Sequence, residues 1–333
     1  MSTLRMLVTT SRPLSWINTA YPFALAYWLL TRQVDATLVV GTLFFLVPYN
    51  LFMYGVNDVF DHESDLRNPR KGGVEGALVP RSRHRVILVA VAVSTVPTAL
   101  LLAVLVGRVG AVVLAVVLFA VHAYSGPGLR FKEVPFLDSA TSATHFVGPA
   151  VVGVAAAAPV AGGWARVLSV PLVCALVAFF AWSMASQAFG AVQDVVPDRV
   201  GGLRSVATVI GARATVRLAV GGYLLAAALL VVGGLVGAGM LGGGGAGGDV
   251  PVAEVARGGR AAGAGAAGRS GALLGAAPLA LVYAVSILPW WDVTDSASGA
   301  AHAGWVRFLW LNYAVGFLLT MLVIAAVNGW LPA

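Results

Sequence analysis

The feature that most restricts how this chain can fold is the succession of apolar runs that fill it almost from end to end. Runs of roughly 17–25 residues, the length a helix needs to cross the hydrocarbon core of a bilayer, recur near 14–31, 36–55, 86–106, 109–125, 138–160, 167–190, 215–240, 272–290 and 305–327. Backbone in lipid must satisfy its own polar groups, so the runs predict an all-α integral membrane protein, a bundle of about nine transmembrane helices. Composition agrees. Of 333 residues 59% are hydrophobic and 11% charged, and the mean hydropathy of +0.87 excludes an ordinary soluble domain. His122, Tyr124 and His145 interrupt the fourth and fifth runs, and Gly148-Pro149 predicts a bend in the fifth.

Orientation follows from the basic residues, which collect on the cytoplasmic side of membrane proteins. Taking the segments between runs alternately, one face holds Arg5, Arg12, Arg67, Arg70, Lys71, Arg81, Arg83, Arg85, Arg130, Lys132, Arg199, Arg204, Arg213, Arg217 and Arg307. The other holds Arg32, Arg108, Arg166, Arg257, Arg260 and Arg269. The N-terminus is therefore expected in the cytoplasm and the protein in the cell membrane. The formal charge of +7 fits this asymmetry and anionic lipid headgroups. Nucleic acid is not an expected partner, because no soluble basic domain or aromatic-basic platform is present. Arg5 and Arg12 ahead of an apolar run imitate a signal peptide, but no small-residue cleavage site follows, so the run is read as a retained first helix. Cys174 has no second cysteine to pair with and is expected to serve packing.

The longest interruptions are the 56–85 loop and a glycine- and alanine-rich stretch over 241–271. Low complexity and the lack of anything to bury predict a flexible loop over 241–271, within a single transmembrane domain covering 1–333.

Two acidic clusters carry the chemistry. The first is Asn57-Asp58-Val59-Phe60-Asp61-His62-Glu63-Ser64-Asp65 and the second is Gln193-Asp194-Val195-Val196-Pro197-Asp198. Each stands where an apolar run ends, both on the expected cytoplasmic face, and carboxylates beside lipid usually mark a functional site. In a helix, Asp58, Asp61 and Asp65 share one face at i, i+3 and i+7, and Asp194 and Asp198 share one at i, i+4. Magnesium is a hard cation that takes one or two carboxylates, keeps water and bridges to substrate phosphates. The five aspartates therefore predict Mg²⁺ around a diphosphate, where it stabilises charge on the leaving group. A solvated helix end balanced by arginines is the plainer reading, and the recurrence of the cluster at helical spacing argues against it. Asn57 and Gln193 precede the clusters and are candidates to orient ligands or diphosphate oxygens. Arg130 and Lys132, with Arg67, Arg70, Lys71 and Arg204, are candidates for diphosphate binding. The clusters lie four helices apart, a coarse repeat that would set helices 2 and 6 opposite each other.

These residues resemble a family. The two clusters, the segment Tyr124-Ser125-x-Pro127-x-x-Arg130-x-Lys132, and Asp194-Val-Val-Pro-Asp198-Arg-Val-Gly-Gly202-Leu-Arg204-Ser205 followed by Gly211 are similar to motifs of the UbiA superfamily of intramembrane prenyltransferases. The resemblance implies that Asn57, Asp58, Asp61 and Asp65 form one Mg²⁺-diphosphate motif and Asp194 with Asp198 the other. It further implies that Arg130 and Lys132 sit on the diphosphate and that Tyr124 lies in the active-site cavity. An arginine often follows the second aspartate of the first motif in this family; here that residue is His62. The stretch from Arg67 to Ala77 looks like the branch that elongates lycopene toward C50 carotenoids. In that branch a prenyl group, here dimethylallyl, passes from its diphosphate to the terminal alkene of a carotenoid, and the resulting cation is ended by water or by proton loss. The partners implied are a prenyl diphosphate donor, a lipophilic acceptor entering from the bilayer, and membrane lipids. Aromatic quinone precursors are the alternative acceptors, with chlorin and glycerol-lipid acceptors behind them. The non-enzymatic alternative is an ion-coupled secondary transporter, which would want its ionisable groups near the midplane rather than at one surface.

Overall fold

A computed structural model describes residues 2–66, 78–241 and 252–331. Among them every regular element is helical: α1 Thr3–Thr10, α2 Trp16–Thr31, α3 Ala36–Leu46, α4 Pro48–Phe60, α5 His62–Asp65, α6 His84–Leu105, α7 Gly107–Ser125, α8 Leu137–Val160, α9 Trp164–Val167, α10 Val170–Val192, α11 Val195–Val200, α12 Val206–Ile210, α13 Ala212–Gly237, α14 Val252–Ile287 and α15 His302–Val327, with short 3₁₀ turns between some of them. Among the described residues eight helical segments are long and apolar enough to cross a membrane, beginning with Ala36–Phe60 and ending with Asp295–Val327. The first expected span is α2, whose 16 residues fall just short of that length.

The chain forms two compact units. One comprises Met1–Val167 and Asp194–Gly211, the other Leu168–Gln193 and Ala212–Ala333. The boundary between Gln193 and Asp194 returns the second acidic cluster to the unit that holds the first. In the first unit α2 packs on α8 and α3, α7 on α8, and α4 on α6. Its core gathers Phe23, Tyr27, Phe44, Phe45 and Tyr49 with aliphatic residues of α6, α7 and α8. Close approach of α2 to α8 requires a glycine, since a Cβ on Gly153 would stand 2.7 Å from the Phe23 carbonyl oxygen. In the second unit α13 packs between α10 and α14, and α14 packs on α15. Cys174 is buried there, its Cβ against Gly233, as a packing residue. The expected loop over 241–271 differs from the structure, whose backbone is helical from Val252 onward. Alanine, the best helix former, alternates there with glycine, and the segment runs directly into the apolar span that follows; 242–251 lie outside the described residues.

The second span is broken where it matters for the site. Pro48 has no N–H to give to the preceding turn, and α3 stops at Leu46 with Val47 at φ −119°, ψ −60° before α4 restarts at Pro48. In lipid the carbonyls freed at such a break need other donors. Asn50 Nδ2 donates to the Phe45 and Leu46 oxygens at 2.8 and 3.1 Å and to Thr19 Oγ1 at 2.7 Å. Thr19 Oγ1 donates in turn to Phe45 O at 2.7 Å, and Thr95 Oγ1 to Pro48 O at 3.1 Å. The expected span ended at 55, but α4 continues to Phe60, so Asn57 and Asp58 lie within its last turns. Replacing Asn50 with Leu should lower stability by about 1–3 kcal/mol, the cost of buried carbonyls left unpaired, read as a fall in thermal unfolding temperature in detergent.

Candidate active site

α4 ends at Phe60, and Asp61 forms the bend between it and the short α5. The Asp61 N–H donates to Asn57 O at 2.9 Å, and Asp65 N–H donates to Asp61 O at 2.8 Å. The expected single helical face is interrupted at that bend, but Asp58, Asp61 and Asp65 are all buried, at 2%, 3% and 8% exposure. Charges so withdrawn from water need partners. Asn57 Nδ2 donates to Asp61 Oδ2 at 2.6 Å and to Ser125 Oγ at 2.9 Å, and Ser125 Oγ donates to Asp61 Oδ2 at 3.2 Å. On the other oxygen, Lys132 Nζ lies 2.5 Å from Oδ1 and Arg130 Nη2 3.4 Å away. Burial pushes the Asp61 carboxyl above the usual carboxylate range, while the Lys132 charge draws it back.

The basic pair comes from the turn after α7. Gly126 and Pro127 end that helix, Gly128 takes φ +82°, and Arg130 takes a left-handed backbone at φ 44°, ψ 49°. From there Arg130 is steadied by Glu133 through its Nε at 2.8 Å and through Nη2. This hydrogen bond holds the Glu133 carboxyl below its usual range and raises the arginine further. Tyr124, at the end of α7, is half-buried with its ring edge-on to His145 of α8, centroids 5.2 Å apart.

Arg12 carries a role that its use as a topology marker concealed. Its Nη2 lies 2.9 Å from Asp58 Oδ1, with the side chains 18% and 0% exposed, and its guanidinium stacks over Tyr54 at 4.1 Å from the ring centroid. Arg12 also has a left-handed backbone, φ 50°, ψ 75°, between α1 and the turn Pro13–Ser15. Packing of α1 on α4, with Met6 in a cluster with Leu51, Val79, Ile87 and Val91, sets its position. The signal available in the sequence was an arginine directly before a proline at the start of an apolar run. Ser125, Glu133 and Asp138 were also missed; the one signal for Asp138 was its charge at the start of an apolar run.

The second cluster sits on α11. Asp194 occupies its N-cap position and Asp198 N–H donates to Asp194 O at 2.8 Å, so the expected i, i+4 pair spans one turn, both half-buried. Arg204 is exposed in the following turn. Gln193 is engaged within the second unit, its Nε2 donating to Gly190 O at 2.9 Å and its Oε1 2.8 Å from His302 Nδ1. Arg67, Arg70 and Lys71 lie outside the described residues. At the flank of the first cluster, His62 stacks edge-on against His84 at 4.8 Å and Glu63 pairs with Arg81.

The donor set is chemically suited to Mg²⁺: carboxylate oxygens without cysteine, gathered at the end of a span with Arg and Lys beside them. Among the described residues no three acidic, histidine or cysteine side chains group closely enough to hold one ion by themselves.

Residues 19–256 match the model of the UbiA prenyltransferase family. The chain belongs to this family. A lycopene elongase/hydratase of Corynebacterium glutamicum is 43% identical over 327 residues, 98% of each chain. The C(50) beta-cyclic carotenoids biosynthesis protein LbtBC of Dietzia sp. (strain CQ4) is 48% identical over 330 residues, and the present chain spans 66% of that longer relative. A lycopene elongase/hydratase of Halobacterium salinarum is 33% identical over 241 residues, 68% of this chain and 79% of the relative. Among solved structures, a UbiA homolog from Archaeoglobus fulgidus bound to GPP and Mg²⁺ matches with a TM-score of 0.61 at 16% identity, covering 93% of this chain and 98% of that one. A digeranylgeranylglyceryl phosphate synthase matches with a TM-score of 0.60 at 11% identity, covering 98% and 100%. At such identities these structures speak for the fold alone.

Two expectations follow from the ion pairs. Arg12→Gln should destabilise the prenyltransferase by about 3 kcal/mol, the cost of removing one partner of a buried pair. In a double-mutant cycle with Asp58→Asn the pair should cost less than the sum of the single changes. Because Glu133 is held below its ordinary 4.5, its pair with Arg130 stabilises fully above that pH and fades as pH falls below it. The gap in thermal stability between wild type and Glu133→Gln should be flat near neutrality and close on acidification.

Proposed function

We propose that this prenyltransferase moves a dimethylallyl group from its diphosphate to the terminal alkene of lycopene, in the formation of C50 carotenoids. The observation that carries the acceptor is the end-to-end correspondence with the lycopene elongase/hydratase of C. glutamicum, 43% identical over 98% of both chains. The physical setting supports it, since an apolar polyene reaches such a site from the bilayer. The asymmetry of Lys and Arg favours a cytoplasmic site, where the water-soluble donor is at hand.

Asp58, Asp61, Asp65, Asp194 and Asp198 would hold Mg²⁺, which when bound neutralises charge on the departing diphosphate. The rest belongs to the chain. Lys132 and Arg130 present N–H donors at Asp61 Oδ1, where the negative charge of the donor has to be matched, and Arg204 and Asn57 are further candidates for its oxygens. Arg67, Arg70 and Lys71 would add charge from the adjoining loop. Gln193, fastened to Gly190 and His302, serves that purpose only on releasing those partners. The C–O bond of the donor breaks with its electron pair going to diphosphate, and the π pair of the alkene forms the new C–C bond. The resulting tertiary cation either loses a neighbouring proton to restore an alkene or takes up water and releases one. Tyr124, next in the chain to the Ser125 that bonds Asp61, offers an aromatic face for positive charge that develops during transfer.

The test is expression in cells that already make lycopene, with pigments separated and weighed by mass spectrometry. New carotenoids heavier by one and two C5 units are expected. Asp61→Ala and Asp194→Ala should insert normally and form about a hundredfold less product or lower, the scale for losing an electrostatic element of a transition state. Unaltered lycopene beside abundant wild-type protein overturns the acceptor and directs the assay to aromatic quinone precursors. Wild-type activity in either variant overturns the two-cluster site.

A further inference from the structure

We propose that Asp138 is the positioning residue that pins the second acidic motif to the unit carrying the first. The proposal rests on the reading of Asp194 and Asp198 as part of the diphosphate site. Asp138 is the second residue of α8, at the mouth of a membrane-crossing helix and 2% exposed. A carboxylate withdrawn to that degree is costly unless hydrogen-bonded. Its Oδ1 accepts the Ser139 N–H at 2.7 Å and the Ser139 hydroxyl at 3.4 Å. Its Oδ2 accepts the N–H of Val206 at 2.9 Å, 68 residues further along the chain.

Val206 N–H belongs to the first turn of α12, where backbone donors have no partner inside the helix. Asp138 supplies that partner from another element with a full charge, making the bond one of the stronger kind. The rest of the turn is closed locally, since Ser205 Oγ accepts from Thr208 N–H and Thr208 Oγ1 accepts from Ser205 N–H in a reciprocal cap. From α12 the link continues to α11. Arg199 donates to Thr208 O through Nε at 3.1 Å and Nη2 at 2.8 Å, and Arg199 is the neighbour of Asp198. The path from Asp138 to the second motif thus consists of three consecutive hydrogen-bonded steps, all within one unit.

The position of Asp138 in the chain gives the pin its consequence. Residues 130–138 are one short connection. At its start Arg130 and Lys132 reach Asp61; at its end Asp138 holds α12. One segment therefore grips both motifs, so a shift at either end is felt at the other.

The test uses the full-length protein in lipid nanodiscs. Hydrogen–deuterium exchange is followed over 195–210, and steady-state kinetics are measured against donor and Mg²⁺. In Asp138→Ala the amides of 206–208 should exchange roughly tenfold faster, with donor KM and the Mg²⁺ concentration for half-activity each rising about tenfold and kcat changing less. Asp138→Asn keeps one acceptor oxygen and should fall between Ala and wild type; it carries the test if the Ala variant does not fold. A purely structural role lowers the unfolding temperature or the yield of active protein while KM and the Mg²⁺ requirement stay at wild-type values, and that result overturns the proposal. Unchanged exchange in Asp138→Ala overturns it as well. Faster exchange together with an Asp194→Asn variant of normal Mg²⁺ requirement supports the pin and overturns the reading of the second motif as a metal site.

Discussion

The burial of Asp61 is the constraint on which the site depends. A carboxylate at 3% exposure beside a lipid-facing helix end is tolerable only if charge and hydrogen bonds are delivered to it. They come from separate parts of the sequence: the amide of Asn57 from its own helix, the hydroxyl of Ser125 from the end of α7, and the cations of Arg130 and Lys132 from the turn beyond. Asp58, one turn earlier, draws Arg12 from the far end of α1 in the same way. Buried charge pairs of this kind contribute little net stability because desolvation consumes most of the attraction. What they fix is geometry: three segments that apolar packing alone would leave free to slide are registered against one another.

That geometry begins with a defect. The second span is broken at Pro48; the Phe45 and Leu46 carbonyls released there are taken by Asn50 and Thr19, and Thr95 adds a bond to Pro48 O at the start of α4. A straight helix through 36–60 would satisfy its backbone without these polar side chains. The break lies one helix-length before Asn57 and Asp58, and the three donors fasten the start of the helix that carries them. The glycine contact at Gly153 plays the corresponding part between α2 and α8, letting the two helices pack closely.

Much of this was legible in the residues. Apolar run length located the spans to within a few residues, because lipid leaves the backbone few alternatives, and the spacing of Asp58, Asp61 and Asp65 picked out three carboxylates that are all buried, although a bend at Asp61 breaks the single helical face expected of them. The extension of α4 to Phe60 was missed because Asn57 and Asp58 read as the end of hydrophobicity, whereas a helix persists as long as its backbone bonds do. Arg12 was legible as charge but not as a partner of Asp58, a pairing made across 46 residues by the packing of α1. Asp138 was overlooked for the opposite reason. A single carboxylate has no spacing to betray it, and its partner is a backbone N–H that no residue type announces. Gln193 was read by adjacency to Asp194, yet its side chain turns to His302. Sequence proximity did not indicate side-chain direction.

Two of the cations that serve the acidic face, Arg12 and Arg130, stand at left-handed backbone positions that a residue with a Cβ occupies at a cost of roughly 1–2 kcal/mol and glycine occupies freely. A long side chain leaving such a turn departs in a direction that no helical residue can offer, which is how a guanidinium from the end of one element comes to lie across the face of another. The strain and the reach are one property. Searches for stabilised forms of this enzyme that favour relaxed backbone will converge on these two turns, and a gain in folding found there will be drawn from the partner of Asp58 at Arg12 or, at Arg130, from charge that the diphosphate is proposed to meet.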